Sequence, residues 1–417
     1  MRAIVAVCLV FSCGSAWSQT SKPTLSGYIT RVASRTDFDI NGVRVLCGSG
    51  TSVIGVSVAG CPAKAPVVGQ AADVWGHRKK TPQAIAADNI DIKPVERDDI
   101  SGYAVIDAVA GPSGFVPGAV EVRADGYRML LTPQTEVTFE VPLRGTQDVM
   151  PNVWVEYEAK ARPDGLFILK NAKFSQNFVT SRENAMRART DYDPSAVPAN
   201  ADPRTVAVTV GLGVDPKRIP PWPNREEQDR IDAIGRKLVP EWESNLAASD
   251  PSRIDFRFQL TNGKRWPWVL ALPSGIILVP HEMVERTQND SQLAEILADA
   301  IACVLEKQTY RMRIADTVVA VGSVASWASF VPVVGVPAQL AGAGTGAAKA
   351  VKVAREQHQS GRVSLSLMHD AGYDVTQAPI AWWLLASKKS KPLDRVAMPD
   401  RAAYLYRVLG EMWGGQS

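Results

Sequence analysis

The stretch NDSQLAEILADAIAC, residues 289–303, carries the pattern that decides how the C-terminal half of the chain folds. A polar residue that can cap a helix, Asn289 or Asp290, precedes apolar residues at helical spacing. The resulting apolar stripe consists of Leu293, Ile296, Leu297, Ala300 and Val304. We therefore expect a helix that begins near Asn289 or Asp290 and packs this stripe into a core.

The residues on either side of this helix predict a mostly helical α+β domain over 224–414. Asn224 can cap an earlier helix, because Glu227 follows three residues later as in a capping box. Apolar residues predict a pair of strands at 254–260 and 269–279. Helices around a short sheet are typical of an α+β domain.

The N-terminal half contains two similar units rich in predicted strands. LSGYI begins the first unit at Leu25, and ISGYA begins the second at Ile100. Each unit alternates short strands with polar turns, which suits a small closed barrel of OB type. The sequence thus predicts two small all-β (OB-like) barrels over 24–97 and 98–177. A linker over 178–223, rich in Arg, Asp, Pro and Ala and with one short strand at 205–210, then leads to the α+β domain.

The charge balance excludes one class of partner. The chain has 46 Lys and Arg against 43 Asp and Glu, so its net charge is only +3. Nucleic-acid binding depends on a concentration of positive charge, and this composition gives no case for it. We expect no nucleic-acid partner, and we interpret the barrels as spacers or protein-contact modules.

Residues 1–18 have the features of a secretory signal, which predicts an exported, periplasmic protein of the cell envelope. Arg2 precedes a short apolar run, and Ala16 and Ser18 supply the small residues that signal peptidase needs before Gln19. A lipoprotein anchored through Cys13 is the less favoured alternative, since Phe11 fits a lipid-attachment box poorly.

Export permits a disulfide between Cys47 and Cys61, which lie on either side of a Gly/Ser/Val stretch. Closing so short a loop stabilises a fold by roughly 3 kcal/mol. Two free thiols are the alternative. Cys303 is then the odd cysteine of the mature chain.

Residues 317–348 contain no charged side chain. The length would permit a membrane span, but two prolines and several glycines interrupt the stretch. We expect a helical hairpin that is buried or touches a membrane surface, in preference to a true span.

Three blocks of the C-terminal half resemble the HtpX/Oma/BepA-like zinc metallopeptidases (metallopeptidase family 48). The blocks are LALPSGIILV at 270–279, NDSQLAEILA at 289–298, and RVSLSLM at 362–368 followed by AGYD at 371–374. They are similar to the family's edge strand, to the lead-in of its zinc helix and to the motif around its third metal ligand. The resemblance implies a zincin-like metallopeptidase domain.

The residues that such an enzyme needs are absent from this chain. The family's zinc helix carries H-E-x-x-H, in which two His bind the metal and the Glu activates water. The resemblance places Asp299 and Cys303 at the two His positions and Ala300 at the Glu position. Gln357 stands where the family has its third ligand, Glu, and Gly361 stands at the Asp of the same motif. We therefore expect no catalytic residue, no metal ligand and no cofactor, and no enzymatic activity.

Two other metal sites remain as alternatives. Asp299 and Cys303 keep the i, i+4 spacing and could meet a soft ion, with Gln357 as a poor third ligand. An unrelated zinc site from His281, Glu282 and His358 would require these residues to converge in the fold. Local hydrogen bonding for Asp299, core packing for Cys303, and surface or capping roles for the His residues are the favoured interpretations.

These observations predict an exported pseudo-peptidase that binds a polypeptide or an envelope protein partner as a scaffold, chaperone or regulator. In the family the LPSG strand is thought to pair with extended substrate, so the candidate peptide-binding edge strand consists of Leu272, Pro273, Ser274 and Gly275. An active metalloendopeptidase with a non-standard site and a structural envelope module that binds through its barrels are the alternatives.

Overall fold

The fold is given by a computed structural model of the chain. It describes residues 22–53, 61–62, 65–80, 83–95, 97–112, 116–198, 216–262, 269–310, 333–334, 347–387 and 397–413. The predicted signal peptide, Cys13, the predicted strand at 205–210 and most of 317–348 lie outside these residues. Among the described residues, no helix is both long enough and apolar enough to cross a membrane.

The first barrel is closed and has the strand order β1-β2-β3-β5-β4. Its strands are β1 (Leu25–Ser34), β2 (Asp37–Ile40), β3 (Val43–Val53), β4 (Ala71–Lys79) and β5 (Ala84–Ile92). β3 and β5 pair in parallel, and the other pairs are antiparallel. Alternate side chains fill the interior, among them Ile29, Phe38, Val45 and Val74, all of them fully buried. This arrangement is the small closed barrel that the alternating sequence predicts.

The second barrel repeats the same order of strands, β6-β7-β8-β11-β10, and closes through pairing of β10 with β11 and with β6. Its strands are β6 (Ile100–Pro112), β7 (Val120–Ala124), β8 (Tyr127–Leu131), β10 (Val153–Ala161) and β11 (Phe167–Gln176). A further strand, β9 (Glu136–Phe139), adds to β11 in parallel. The prediction of two OB-like barrels is therefore confirmed.

A disulfide joins Cys47 and Cys61 across 14 positions of sequence, with Cα atoms 5.6 Å apart. Cys47 lies on β3 and contributes to the core of the first barrel. The predicted disulfide is thus present, and it ties the middle of the long strand β3 to the connection that leads into β4.

The segment predicted as a linker contains a helix that packs on its surroundings. Helix α1 (Ser181–Thr190) begins after Thr180, whose side chain accepts a hydrogen bond from the Glu183 backbone N–H. Glu183, Met186 and Thr190 are buried. Residues 181–190 are therefore part of the packed structure, because one face of α1 is covered by the C-terminal domain.

The C-terminal domain, residues 224–413, combines helices with a four-stranded sheet of order β12-β14-β13-β15. The strands are β12 (Arg257–Thr261), β13 (Val269–Ala271), β14 (Ile276–Pro280) and β15 (Val333–Val334). The helices are α2 (Arg225–Leu238), α3 (Glu241–Ser244), α4 (His281–Arg286), α5 (Asp290–Leu305), α6 (Ala347–Asp370), α7 (Gln377–Ala386) and α8 (Asp400–Trp413). The order of two all-β barrels followed by an α+β domain, in which helices surround a short sheet, agrees with the sequence prediction.

Both helix starts that the sequence indicates are capped as expected. The Asn224 side chain accepts from the Glu227 N–H, and the Asn289 side chain accepts from the Gln292 N–H. Helix α5 differs from expectation in its burial, since every residue from Gln292 to Leu305 is buried. A helix that is surrounded on all sides lies at the centre of the core and not on its surface.

The first barrel contacts helix α8 closely. A Cβ atom on Gly69 would stand 2.3 Å from the carbonyl oxygen of Tyr406 and 2.5 Å from the backbone nitrogen of Gly410. Gly69 also has φ +93°, a conformation that favours glycine. Only glycine permits this approach of two backbones, which holds the barrel against the C-terminal domain.

The second barrel is joined to the C-terminal domain through buried charge. Arg362 on α6 donates to the Asp125 carboxylate at 2.5 Å and to the Asp125 carbonyl at 3.1 Å. The hydroxyl of Tyr157 donates to the other Asp125 oxygen at 2.7 Å. Because these groups are buried and satisfy one another, the barrel and the helix form a single packed unit.

Candidate functional site

Helices α5 and α6 bring the predicted site positions to one interface. The Ser364 hydroxyl donates to the Glu295 carboxylate at 2.9 Å. One turn along, the Ser360 hydroxyl lies close enough to the Asp299 carboxyl to lower its pKa. The helices therefore run antiparallel, and this register sets Gln357 level with Cys303 at the next turn.

Asp299, at the first ligand position, is paired with a cation from its own chain. Its carboxylate accepts a hydrogen bond from Arg401 on α8 and forms an ion pair with the same guanidinium. The Arg401 guanidinium lies over the Trp382 ring of α7, 3.7 Å from the ring centre. Arg401 thus supplies positive charge at the position where the resemblance predicts a metal ligand.

Burial governs the protonation of Asp299. Desolvation raises the pKa of this carboxyl, while the charge of Arg401 and hydrogen bonds from Ser360 and Arg401 act in the opposite direction. The carboxylate form therefore depends on Arg401, because no solvent reaches Asp299 to stabilise a charge.

Glu295 belongs to the same site and was missed by the sequence analysis. It lies one helical turn before Asp299, is fully buried, and accepts a 2.7 Å hydrogen bond from Nε1 of Trp382. Burial and, to a lesser extent, the neighbouring charge of Asp299 raise the pKa of Glu295 to about 8. Two carboxyl groups at i and i+4 within an apolar helix were the signal that could have revealed this pair.

The remaining positions of the site are packed as interior. Ala300, at the general-base position, is fully buried and carries only a methyl group, and Cys303 is 5% exposed. A Cβ atom on Gly361 would lie 3.2 Å from a methyl of Leu405. Gln357 is partly buried. The convergent positions therefore form part of a core and not the wall of an open cleft.

The second barrel covers the end of this interface. Gln359 of α6 donates to the Tyr103 carbonyl at 3.1 Å, and Glu306 at the end of α5 accepts from the Val105 N–H at 3.4 Å. Both barrel residues lie on β6. The end of the α5–α6 pair nearest Cys303 and Gln357 is thus in contact with the second barrel.

The residues present do not fit a zinc ion. Within the described part of the chain, no group of three or more His, Cys, Asp or Glu side chains could hold a metal. Asp299 is already neutralised by Arg401, whose charge would repel a second cation. Neither the Asp299–Cys303–Gln357 set nor the His281–Glu282–His358 set supplies a metal site there.

The two histidines of the second set have different surroundings. His281 stacks on Trp222 with ring centres 4.4 Å apart, and its Nδ1 lies 2.7 Å from Glu227. His358 stacks on Tyr404 at 3.8 Å. Partial desolvation and the charges of nearby arginines together lower the pKa of His358 to about 4. Both histidines have structural roles in aromatic packing.

The candidate edge strand is a turn. Leu272 to Gly275 connect β13 to β14: the Gly275 N–H bonds to the Leu272 carbonyl at 2.9 Å, and the Leu272 N–H bonds to the Ile276 carbonyl at 2.8 Å. Gly275 has φ +94°, which explains the glycine at this position. The single strand expected over 269–279 is therefore two antiparallel strands, because the LPSG motif reverses the chain.

The described sheet has the edges β12 and β15, and β12 has neighbours within the chain. β15 pairs with β13 and forms the edge on that side. At the β12 edge, the Gln228 carboxamide donates to the Phe258 carbonyl at 2.9 Å and accepts from the Leu260 N–H at 2.8 Å. The Trp222 N–H bonds to the Leu260 carbonyl at 3.0 Å. Strand addition to β12 would displace these contacts.

A cavity of about 230 Å³ lies beside the LPSG turn. The Ser274 hydroxyl donates to the Thr190 carbonyl at 2.9 Å, which holds the turn against the last residue of α1. The cavity is lined by Arg187, Ala188, Asp191, Arg253, Ile254, Asp255, Arg257, Pro273 and Ser274. Its lining combines charged side chains with a small apolar surface.

A search with protein-family profiles finds no match to this chain, and a search of curated proteins finds no significant match.

Proposed function

We propose that this protein is an exported, non-catalytic relative of the zinc metallopeptidases that binds polypeptide in the cell envelope. The observation that carries the proposal is the ion pair between Asp299 and Arg401. A guanidinium stands against the first ligand position, and the site positions around it are packed into the core. A site that is filled by its own side chains binds neither a metal ion nor the water that the reaction consumes.

The chemistry of the other positions supports the absence of hydrolysis. A general base must accept a proton within hydrogen-bond reach of the attacking water. Ala300 carries no acceptor, and Glu295 accepts from Trp382 and Ser364 in a fully buried environment. With a pKa of about 8, the Glu295 carboxyl retains its proton at neutral pH.

The LPSG turn and its cavity are the surface to which we assign polypeptide binding. The β12 edge already has neighbours, whereas the cavity is open to solvent beside Ser274 and offers charged and apolar groups together. Binding of polypeptide without cleavage is the expected role of such a surface in a scaffold, chaperone or regulator.

The test uses the purified mature chain and unfolded β-casein. We expect substoichiometric metal by elemental analysis, intact casein after incubation, and a casein complex in size-exclusion chromatography. Stoichiometric zinc with casein cleavage that is lost in Asp299→Asn and Cys303→Ala would establish the active metalloendopeptidase instead. Cleavage that persists in both variants identifies a contaminating protease, and the absence of a casein complex would reject polypeptide binding.

A further inference from the structure

The cavity beside the LPSG turn joins three parts of the chain that are distant in sequence. The last turn of α1 contributes Arg187, Ala188 and Asp191, and the hairpin contributes Pro273 and Ser274. The segment that enters β12 contributes the remaining residues, Arg253, Ile254, Asp255 and Arg257. Its walls are therefore fixed by a helix, a hairpin and the start of a strand.

Two of its three arginines are held by the protein itself. Arg187 donates to Glu183 at 2.8 Å and to the Pro251 carbonyl at 3.0 Å. Arg257 pairs with Asp191 and donates to the Tyr192 carbonyl at 3.1 Å. These contacts hold both guanidinium groups in the wall, where the Nε of each has no acceptor in the described structure.

Arg253 is the arginine that the fold leaves available. Among the described residues, its guanidinium makes one hydrogen bond, to the Leu246 carbonyl at 2.7 Å, and no ion pair. A guanidinium offers five N–H donors in a fork that matches the two oxygens of a carboxylate. Asp255, the second carboxylate of the lining, lies 3.6 Å from Nε of Arg257, which leaves Arg253 as the lining cation that can receive a carboxylate from a ligand.

The apolar part of the lining and the volume limit what can enter. Ala188, Ile254 and Pro273 offer aliphatic contacts. A volume of about 230 Å³ equals that of roughly eight water molecules in the liquid, and pockets for drug-sized ligands begin at about 300 Å³. One amino-acid residue with an aliphatic side chain is of the right size.

We propose that this cavity captures the C-terminal residue of a bound polypeptide, with its carboxylate on Arg253 and its side chain against Ile254 and Pro273. The inference rests on the proposed polypeptide-binding function and specifies which part of the ligand is recognised. An internal Asp or Glu offers the same carboxylate without a chain end, so the experiment separates these two sources.

The experiment measures fluorescence polarisation of the mature protein with fluorescein-labelled Gly-Ser-Gly-Ser-Ala-Leu, as the free acid and as the C-terminal amide. A third probe is an amidated peptide with an internal Asp. We expect the free acid to bind at least about tenfold more tightly than either amide. The simple amide lacks the carboxylate that accepts the charge-assisted hydrogen bond from Arg253, and the carboxylate of the internal Asp does not lie at a chain end. Arg253→Gln should reduce free-acid binding to the level of the amide, whereas Arg189→Gln, an exposed arginine of α1 outside the cavity, should leave it unchanged.

Each other outcome overturns the inference. Equal binding of acid and amide shows that the chain end is not recognised, and preference for the internal Asp shows that a side-chain carboxylate is the ligand. Unchanged binding in Arg253→Gln, with an unfolding temperature equal to that of the parent, removes Arg253 from the site. If casein binds but none of the peptides does, the inference fails while the proposed function stands, and if neither binds, both fail.

Discussion

Replacing Arg401 by Met tests whether its guanidinium neutralises the buried carboxylate of Asp299. The side chain has similar length and keeps an apolar surface for Trp382, but its charge is lost. Asp299 is fully buried and then has no counterion. Removal of one partner of a buried ion pair typically costs about 3–5 kcal/mol, because the other charge is left without solvent.

The assay is urea unfolding followed by tryptophan fluorescence, since Trp382 lies directly on Arg401. Arg407→Met is the matched control: it lies on the same helix, is 54% exposed and faces Glu411 at 3.3 Å. Because Arg407 is exposed to solvent, although Glu411 is only 16% exposed, we expect its loss to cost less than the loss of the buried Asp299–Arg401 pair. The double variant Asp299→Leu with Arg401→Met removes both charges, and we expect it to be close to the parent in free energy of unfolding.

Two results would refute this reasoning. A loss in Arg401→Met no larger than in Arg407→Met would mean that Asp299 does not depend on the guanidinium. A double variant as unstable as Arg401→Met alone would mean that Arg401 stabilises the domain by packing and not by neutralising Asp299. In Arg401→Met the free energy of unfolding should also fall as the pH rises above about 4, because the unfolded chain then releases the Asp299 proton while the folded chain retains it.

Three further predictions follow from single contacts. Burial raises the pKa of Glu295 from 4.5 to about 8, so its contribution to folding is greatest below pH 4.5 and is lost as the pH rises to 8. Glu295→Gln should remove this pH dependence, worth at most roughly 5 kcal/mol, and should make the variant more stable than the parent at pH 9 in urea unfolding. Gly126→Ala places a Cβ 2.6 Å from the Arg362 backbone and should lower the thermal unfolding temperature, whereas Gly372→Ala, with a similar φ of +71° and an open environment, isolates the cost of the backbone conformation alone. Cys47→Ala with Cys61→Ala should cost about 3 kcal/mol in urea unfolding under oxidising conditions, and the difference from the parent should vanish when the parent is reduced.

Packing of the barrels onto the C-terminal domain changes how the barrels can be tested. Gly69 contacts the α8 backbone and Asp125 pairs with Arg362, so deletion of 24–177 would expose buried groups of α6 and α8. Point substitutions on the outer barrel strands are therefore the appropriate test of the alternative that the barrels bind a partner.

The sequence by itself determined the two barrels, their order along the chain and the starts of two helices, but not helix α1 or the turn between β13 and β14. Alternation of period two specified the barrel strands, and capping by Asn224 and Asn289 specified the starts of α2 and α5. It also determined which side chains stand at the site positions, including the methyl group of Ala300. These features follow from hydrogen bonds and side-chain periodicity between residues close along the chain, which a sequence displays directly.

The tertiary structure alone decided what those side chains do. Arg401 reaches Asp299 across 102 positions of sequence, and Trp382 reaches Glu295 across 87. The turn at Leu272–Gly275 was hidden within an apolar run that a continuous strand would also explain. Partner choice and pKa depend on which groups lose water together, and desolvation is set by long-range packing that no local pattern records.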